Sequence, residues 1–571
     1  MRALLPPQEA SWPVHDIAAS RALEQDALRQ RPAHQLIEQA GAAVARLALA
    51  LVPHGRHAVV LAGPGNNGGD ALIAARWLAA RGWTLQIYRI GSAPPEGSDA
   101  AHALQSALDA GLTVHAGPPP AVTRARPASG LPSKQDTAPA KEGTSESSPT
   151  SSAAAAFNTT SAVTLASAST PIDLWIDGLL GLGAHRPPEG DIATAIRIAN
   201  AHPAPTLSID LPSGLHGDTG QACGDDTIRA DHTLTLLTLK PGLLTGEGRA
   251  YAGRIWFDDL GVASADASGP TTPHPTAPTD RADHSPASAA ARLAARFIGL
   301  DALTHWHRAH PRGTTSHKGR QGDVAVLGGA PGMRGAAWLA ATAALSAGAG
   351  RVYAALPEDD GQPWPARPEL MHWPKDRWHE PHAWREPVVV AGCGGGTALL
   401  PWLDAVLHDA RHLVLDADGL NLVAQDEGLS RRLAARRSHG LQTVLTPHPL
   451  EASRLLGLSG VAAVQADRLA SARALAEKFD CTVVLKGSGS VIASPGHLPD
   501  INSTGSAALA TAGTGDVLAG WTGGLWAQAR DADPHEVART AVLWHGAAAQ
   551  HHKGPLRAGD LIEAMAALHR D

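Results

Sequence analysis

Residues 502–516 read Asn502-Ser503-Thr504-Gly505-Ser506-Ala507-Ala508-Leu509-Ala510-Thr511-Ala512-Gly513-Thr514-Gly515-Asp516, and an apolar run of helical length, residues 517–529, follows without a break. Gly513 and Gly515 let the backbone turn with its N–H groups bare, and the helix that starts here adds the positive end of its dipole, so the stretch reads as a hole for a phosphate. A carboxylate at position 516 repels a phosphate. Its presence is explained if it takes a proton from a hydroxyl beside that phosphate. The alternative is an Asp that only caps a helix, and a short glycine motif alone leaves both readings open.

Working outward, the periodicity predicts strands at 323–327, 351–356, 387–391, 412–416, 443–445, 482–485 and 491–494. It predicts helices at 336–347, 450–456 and 464–479. This alternation is that of an open α/β sheet, in which ligands sit beyond the carboxyl ends of the strands, so Asp516 falls where a ligand binds. Three further groups can converge there. Lys486-Gly487-Ser488-Gly489-Ser490 follows a strand and is positioned to hold or flank a nucleotide, although a hairpin turn with a solvated Lys has the same sequence. His448 stands between two prolines that aim its ring, with Glu451 at the start of the next helix, and residues 392–396, Gly-Cys-Gly-Gly-Gly, let backbone approach a ligand.

The first half repeats the pattern. Helical spacing at 16–49 suggests a packing arm; a strand at 57–62, a glycine-rich loop at 63–70 and a helix at 71–80 open a βαβ unit. Strands follow at 84–90, 172–177, 206–210, 231–238 and 254–257, with helices at 99–110 and 192–199. The loop Asn66-Asn67-Gly68-Gly69-Asp70 offers two amides and a carboxylate, which suits a sugar phosphate or a hard cation. Asp177 and Asp210 each end a strand, so both should point into one crevice, unless each only caps the next helix. Residues 117–171 and 263–290 are rich in Ser, Thr, Ala and Pro with almost no large apolar side chain; the first reads as a disordered insertion and the second as a linker between two α/β domains.

A chain of 571 residues exceeds one hydrophobic core, and the net charge of −7 gives no broad basic surface, which argues against nucleic-acid binding. Three cysteines without a C-x-x-C pair suggest neither a disulfide framework nor a zinc site, and a reducing cytoplasm fits. The longest small-apolar run, 335–350, is too short to span a bilayer, so neither a signal peptide nor a membrane span is expected.

On residues 63–70, 209–214, 317–319 with 348–350, 446–449 and 502–516, in this order, the chain resembles the bifunctional NAD(P)H-hydrate repair enzymes, in which a YjeF-type epimerase is fused to an ADP-dependent dehydratase. The resemblance implies a Rossmann-like three-layer domain at 1–262, a linker at 263–292 and a ribokinase-like α/β domain at 293–571. It implies that hydrated NADH or NADPH meets Asn66, Asn67, Gly68, Gly69, Asp70, Gly181, Leu182, Gly183, Ala184, His185, Arg186, Pro187 and Asp210 in the first domain. In the second it implies Ala336, Gly396, His448 and Asp516 for that substrate, and Lys486, Gly487, Ser488, Gly489, Ser490 and Gly515 for ADP or AMP. Potassium would be held by Asn67, Asp177 and Ser213, and Mg2+ would accompany ADP. Asp210 and Asp516 are the expected proton-transfer groups. The sequence departs from the family pattern at Ala71, Leu450, Ser506 and Ala512. Small-molecule substrates and a homo-oligomer are expected, with no nucleic acid and no membrane partner. A ribokinase-like small-molecule kinase would share Asp516 but has no use for the first domain, and a binding scaffold has no use for Asp210 or Asp516.

Overall fold

A computed structural model of the chain describes residues 2–4, 10–120, 171–262, 293–358 and 367–568. The expected linker and nearly all of the expected insertion lie outside the described residues. The strands, in chain order, are β1 (Arg2–Ala3), β2 (Trp12–Val14), β3 (His57–Ala62), β4 (Thr84–Arg89), β5 (Val114–Ala116), β6 (Leu174–Gly178), β7 (Thr206–Ile209), β8 (His232–Leu236) and β9 (Arg254–Asp258). They continue as β10 (Ala295–Ile298), β11 (Asp323–Leu327), β12 (Arg351–Ala355), β13 (Met371–His372), β14 (Val388–Ala391), β15 (His412–Leu415), β16 (Gln442–Leu445), β17 (Thr482–Leu485), β18 (Val491–Ala493) and β19 (Asp500–Asn502).

Among the described residues these form two sheets. The first has the order β1-β9-β8-β7-β6-β3-β4-β5 and is parallel except where β1 meets β9. The second has the order β13-β12-β11-β14-β15-β16-β17-β18-β19-β10-β2, parallel from β13 to β17 and antiparallel through β18. The central strands are buried along their whole length, as in His57–Ala62 and Val388–Ala391, because helices cover both faces of a parallel sheet and leave no side for polar residues. The first unit is thus Rossmann-like and the second ribokinase-like.

Helix Gln35–Leu51 packs on Asn66–Ala79 in the first unit, and Arg334–Ser346 packs on Thr514–Gln528 in the second. The second pair is very close. A Cβ on Gly520 would lie 2.0 Å from the Ala340 carbonyl oxygen, so only glycine lets the two backbones meet there and fixes the height of Asp516.

Two expectations need correction. The stretch 66–70 is not loop but the first turn and a half of helix Asn66–Ala79, capped by Gly65, because Gly68 and Gly69 are packed against neighbouring chain and form ordinary helical turns. The helix expected at 464–479 is two, Val461–Ala466 and Arg468–Phe479, broken at Asp467, whose side chain caps the second by accepting from the Ala470 N–H. The helices expected at 16–49 are Ile17–Arg29 and Gln35–Leu51; ahead of them β2 pairs antiparallel with β10, and so the N-terminal segment completes the edge of the second sheet.

Candidate functional site

At the carboxyl ends of β3, β6, β7 and β8 lies a cavity of about 370 Å3, lined by Glu24, Asn66, Asn67, Asp70, Gly181, Leu182, Gly183, Asp210 and Lys240 among others. Asp210 follows β7 and has φ 63°, a left-handed conformation that Asp tolerates better than most side chains. The turn directs its carboxylate onto Lys240 Nζ, and both groups are buried. Lys240 also donates to the Leu236 carbonyl at 2.8 Å. The Leu236 N–H (3.1 Å) and the Thr235 hydroxyl (3.3 Å) donate to Asp210 as well, and all of these bonds fall on Oδ1. Among the described residues none of these bonds falls on Oδ2.

Burial, with the charge of Asp210 second, raises the Asp70 carboxyl well above the usual carboxylate range. Beneath the cavity the residues expected to hold a cation come together. Asp177 Oδ1 accepts from the Leu179 N–H and Ser213 Oγ, and Oδ2 from Ser208 Oγ and the Ser213 N–H. Asn67 Nδ2 donates to the Leu180 and Ile209 carbonyls at 2.9 and 2.8 Å. No cationic side chain joins this set among the described residues, although burial raises the Asp177 pKa.

Several expected residues lie outside the cavity lining. A Cβ on Gly68 would lie 1.9 Å from the Gly63 carbonyl oxygen and one on Gly69 2.5 Å from Ile37 Cδ1, so both serve helix packing. Ala184 is buried, while His185, Arg186 and Pro187 are exposed, with His185 Nδ1 3.3 Å from His216 Nε2.

In the second unit Asp516 sits in the first turn of Thr514–Gln528, behind Gly513 with φ 88°. Burial and then the Asp416 charge push it up to about 6, against the Cys393 hydrogen bond and Lys486, which act to lower it. Asp416, at the end of β15, accepts from Lys486 Nζ at 2.7 Å, and a Cβ on Gly515 would meet that Nζ at 3.3 Å. The Cys393 thiol, pushed up by burial, lies with Asp416 and Asp516 so that their ligand atoms fall within 4.8 Å of one another. A protonated thiol is a poor partner for Mg2+, and Lys486 balances the Asp416 charge. Gly396 N–H donates to Asp418 at 2.9 Å, and Met333, three residues before Ala336, packs its Cε near Gly396. His448 caps Pro449–Leu456 through Nδ1, in a reciprocal pair with Glu451, whose carboxyl burial pushes up to about 7.

The loop 486–490, expected to hold the nucleotide, is only partly free. The Ser488 carbonyl accepts from the Gly246 N–H at 2.9 Å, and a Cβ on Gly489 would lie 2.1 Å from the Leu244 carbonyl oxygen, so this half of the loop is seated on the first unit. Sequence reasoning missed Glu24, Lys240 and Asp416, and it placed Cys393 in a stretch that approaches a ligand by its backbone without assigning the thiol a part. Asp416 carried a usable signal, since it ends a strand as Asp177 and Asp210 do. Lys240 carried a weak one, as one of only eight lysines.

The model of the family described as NAD(P)H-hydrate dehydratase matches residues 324–564, and that of the YjeF-related protein N-terminus matches residues 33–242. The chain is 33% identical over 523 residues to the bifunctional NAD(P)H-hydrate repair enzyme of Escherichia coli K12, covering 90% of this chain and 84% of that one. It is also 33% identical over 537 residues to the counterpart from Gloeobacter violaceus, covering 91% and 89%. Among solved structures, the ADP/ATP-dependent NAD(P)H-hydrate dehydratase of Bacillus subtilis matches at 29% identity and TM-score 0.38, covering 47% of this chain and 96% of that one. With both halves matched in order, and with relatives of this identity aligned along most of both chains, the chain belongs to the family of bifunctional NAD(P)H-hydrate repair enzymes.

Proposed function

We propose that the chain repairs hydrated nicotinamide nucleotides: its first unit interconverts the R and S forms of hydrated NADH and NADPH, and its second dehydrates the S form at the expense of ADP, giving AMP and phosphate. The observation that carries this reading is the pairing, in one chain, of an Asp210–Lys240 cavity with an Asp516–Asp416–Lys486 cluster at a helix N-terminus. A kinase of the same fold has no use for the first.

In the first unit, Lys240 and two further donors hold Asp210 by Oδ1, and Oδ2 takes the proton of the ring hydroxyl. Asn66, Asp70 and the turn 181–183 line the space for the nucleotide. Potassium would be held by Asn67, Asp177 and Ser213: the buried Asp177 carboxyl has no cationic side chain beside it among the described residues, and the Ser213 hydroxyl and the Asn67 side chain meet at the Leu180 carbonyl next to it. It would supply positive charge beside the substrate's phosphates.

In the second unit ADP enters as its Mg2+ complex. Hydroxide is a poor leaving group, and a phosphoryl group makes it a good one. Asp516 takes the hydroxyl proton as the oxygen attacks the terminal phosphorus of ADP, while the N–H groups at the head of Thr514–Gln528 and Lys486 bear the charge in transfer. AMP leaves. The ring nitrogen then expels phosphate, and loss of a neighbouring proton restores the dihydropyridine. Ala336, Gly396 and His448 frame the nicotinamide side of this site, and the loop 486–490 with Gly515 frames the nucleotide side.

The test is to incubate the full chain with an epimer mixture of hydrated NADH and with MgADP. Reduced-nicotinamide absorbance should return with one AMP and one phosphate for each molecule repaired. Recovery without nucleotide breakdown, or phosphorylated product that keeps its hydroxyl carbon, would sink the reading.

A further inference from the structure

Helix Ile17–Arg29 forms one wall of the epimerase cavity, through Ser20, Glu24 and Leu28 at four-residue spacing and through Arg21. Residues at that spacing share one face of a helix. The helix is firmly held. Asp16 caps it by accepting from the Ala19 N–H at 2.7 Å, the Ile17 N–H donates to Asp218 at 2.7 Å, and the Ser20 and Thr238 hydroxyls are 2.7 Å apart. Thr238 lies two residues before Lys240, so the wall and the Asp210–Lys240 pair are built as one piece.

Glu24 is half-buried and forms no ion pair among the described residues; its hydrogen-bond partner is Asn66 Nδ2, at 3.4 Å from Oε1. The groups that face it are Asp210 and Lys240 across the cavity, Asn66 and Asp70 on helix Asn66–Ala79, and Arg21 on its own helix. Burial first, then the charge of Asp210, hold its carboxyl above the ordinary range, against Asn66, Lys240 and Arg21. Four carboxyl groups line this cavity, Glu24, Asp70, Asp99 and Asp210; Asp99 is paired with His34 and Asp70 is buried, which leaves Glu24, on the helix wall, as the partner with which Asp210 can divide acid and base work.

We propose that Glu24 is the second acid-base residue of the epimerase, acting from the helix wall while Asp210 acts from the sheet. This rests on the epimerase reading of the first unit and commits it to ring opening. Asp210 takes the proton of the hydroxyl. As that oxygen becomes a carbonyl, the bond from its carbon to the ring nitrogen breaks, and Glu24 protonates the electron pair left on nitrogen. Rotation of the freed aldehyde presents its other face. Glu24 then takes the nitrogen's proton back, nitrogen attacks the carbonyl carbon, and Asp210 returns its proton to the oxygen, with no net change in atoms or electrons.

The experiment compares Glu24→Gln with the parent, as full chains, on separated epimers of hydrated NADH, following their interconversion by chromatography. Dehydration of the S form on the same preparation reports folding. For the variant, kcat for epimerisation should fall about 10²- to 10⁴-fold with KM little changed and dehydration intact. Parental activity falls at high pH as Glu24 loses its proton, and this alkaline limb should disappear in the residual activity of the variant. Glu24→Asp should restore both rate and limb in part. A Glu24→Gln chain within a few-fold of the parent, one with raised KM alone, or one that keeps the alkaline limb overturns the proposal and leaves the epimerase reading standing. A parent that does not interconvert the epimers overturns both.

Discussion

Arg468, in the second unit, donates its Nε hydrogen to Thr245 Oγ1 of the first at 2.9 Å. Its remaining nitrogens donate to the Leu485 and Lys486 carbonyls at 3.1 Å each and to Gln465 Oε1 at 2.8 Å. Burial lowers its pKa to about 10, so it is still charged at neutral pH. One buried guanidinium therefore ties the end of β17, which carries Lys486, to a loop five residues beyond the Lys240 of the other site.

Arg468→Met keeps most of the volume and removes every donor. Hydrogen bonds to a charged group are worth about 1.5–3 kcal/mol, so a stability loss on the order of 3 kcal/mol is expected by denaturant melt. MgADP affinity should fall about tenfold, equivalent to ~1.4 kcal/mol, because the Lys486 strand end loses its anchor. Unchanged calorimetric affinity would show that the junction is structural only.

For Asp516→Asn, shape is retained and the base is lost. Dehydration should fall about 10²- to 10⁴-fold, with epimerisation unchanged and MgADP bound at least as tightly, since a carboxylate beside a phosphate opposes binding. The parent's pH profile supplies the second check. A base with a pKa of about 6 is active when ionised, so dehydration should decline as pH falls through about 6, and the residual activity of the Asn variant should lack that limb.

Removing Lys240 alone strands a buried carboxylate. Lys240→Met should cost about 3–5 kcal/mol and abolish epimerisation. Adding Asp210→Asn should recover much of the stability in thermal melts without recovering activity, and Asn suits the positive φ at that position. A double variant no more stable than the single one would show that the pair is not what holds this wall together.

Gly68→Ala tests how the first site is positioned. Its methyl would meet the Gly63 carbonyl, so helix Asn66–Ala79 must shift, at about 1–3 kcal/mol. Epimerase kcat/KM should drop while dehydration stays at the parental rate, both measured on one preparation.

Residues 293–571 expressed alone lack β2 and the Thr245 contact, and expose the β10 edge. The fragment should consume only the S epimer, and its Tm should fall by about 2–4 °C for each ~1 kcal/mol lost. Complete clearance of an epimer mixture by the fragment, corrected for spontaneous epimerisation, would refute the division of labour.

The sequence by itself determined what is local. Runs such as residues 57–62 and 323–327 are recognisable as buried strands because their apolar character is written in consecutive residues, and Asp177, Asp210 and Asp516 stand out as candidates because each lies at the end of a strand or at the head of a helix. Gly68 and Gly69 misled it, since the same two residues suit an open loop and a tightly packed helix start, and the choice depends on what lies against them. Only the tertiary structure decided the partners. Lys240 meets Asp210 across 30 residues, Arg468 meets Thr245 across 223, and β2 pairs with a strand of the other unit. No periodicity encodes such meetings, because they depend on which strands the sheet order brings side by side. Glu24 lies on a helix whose pattern records only that one face is buried, and the fold is what makes that face the wall of a cavity shared with Asp210.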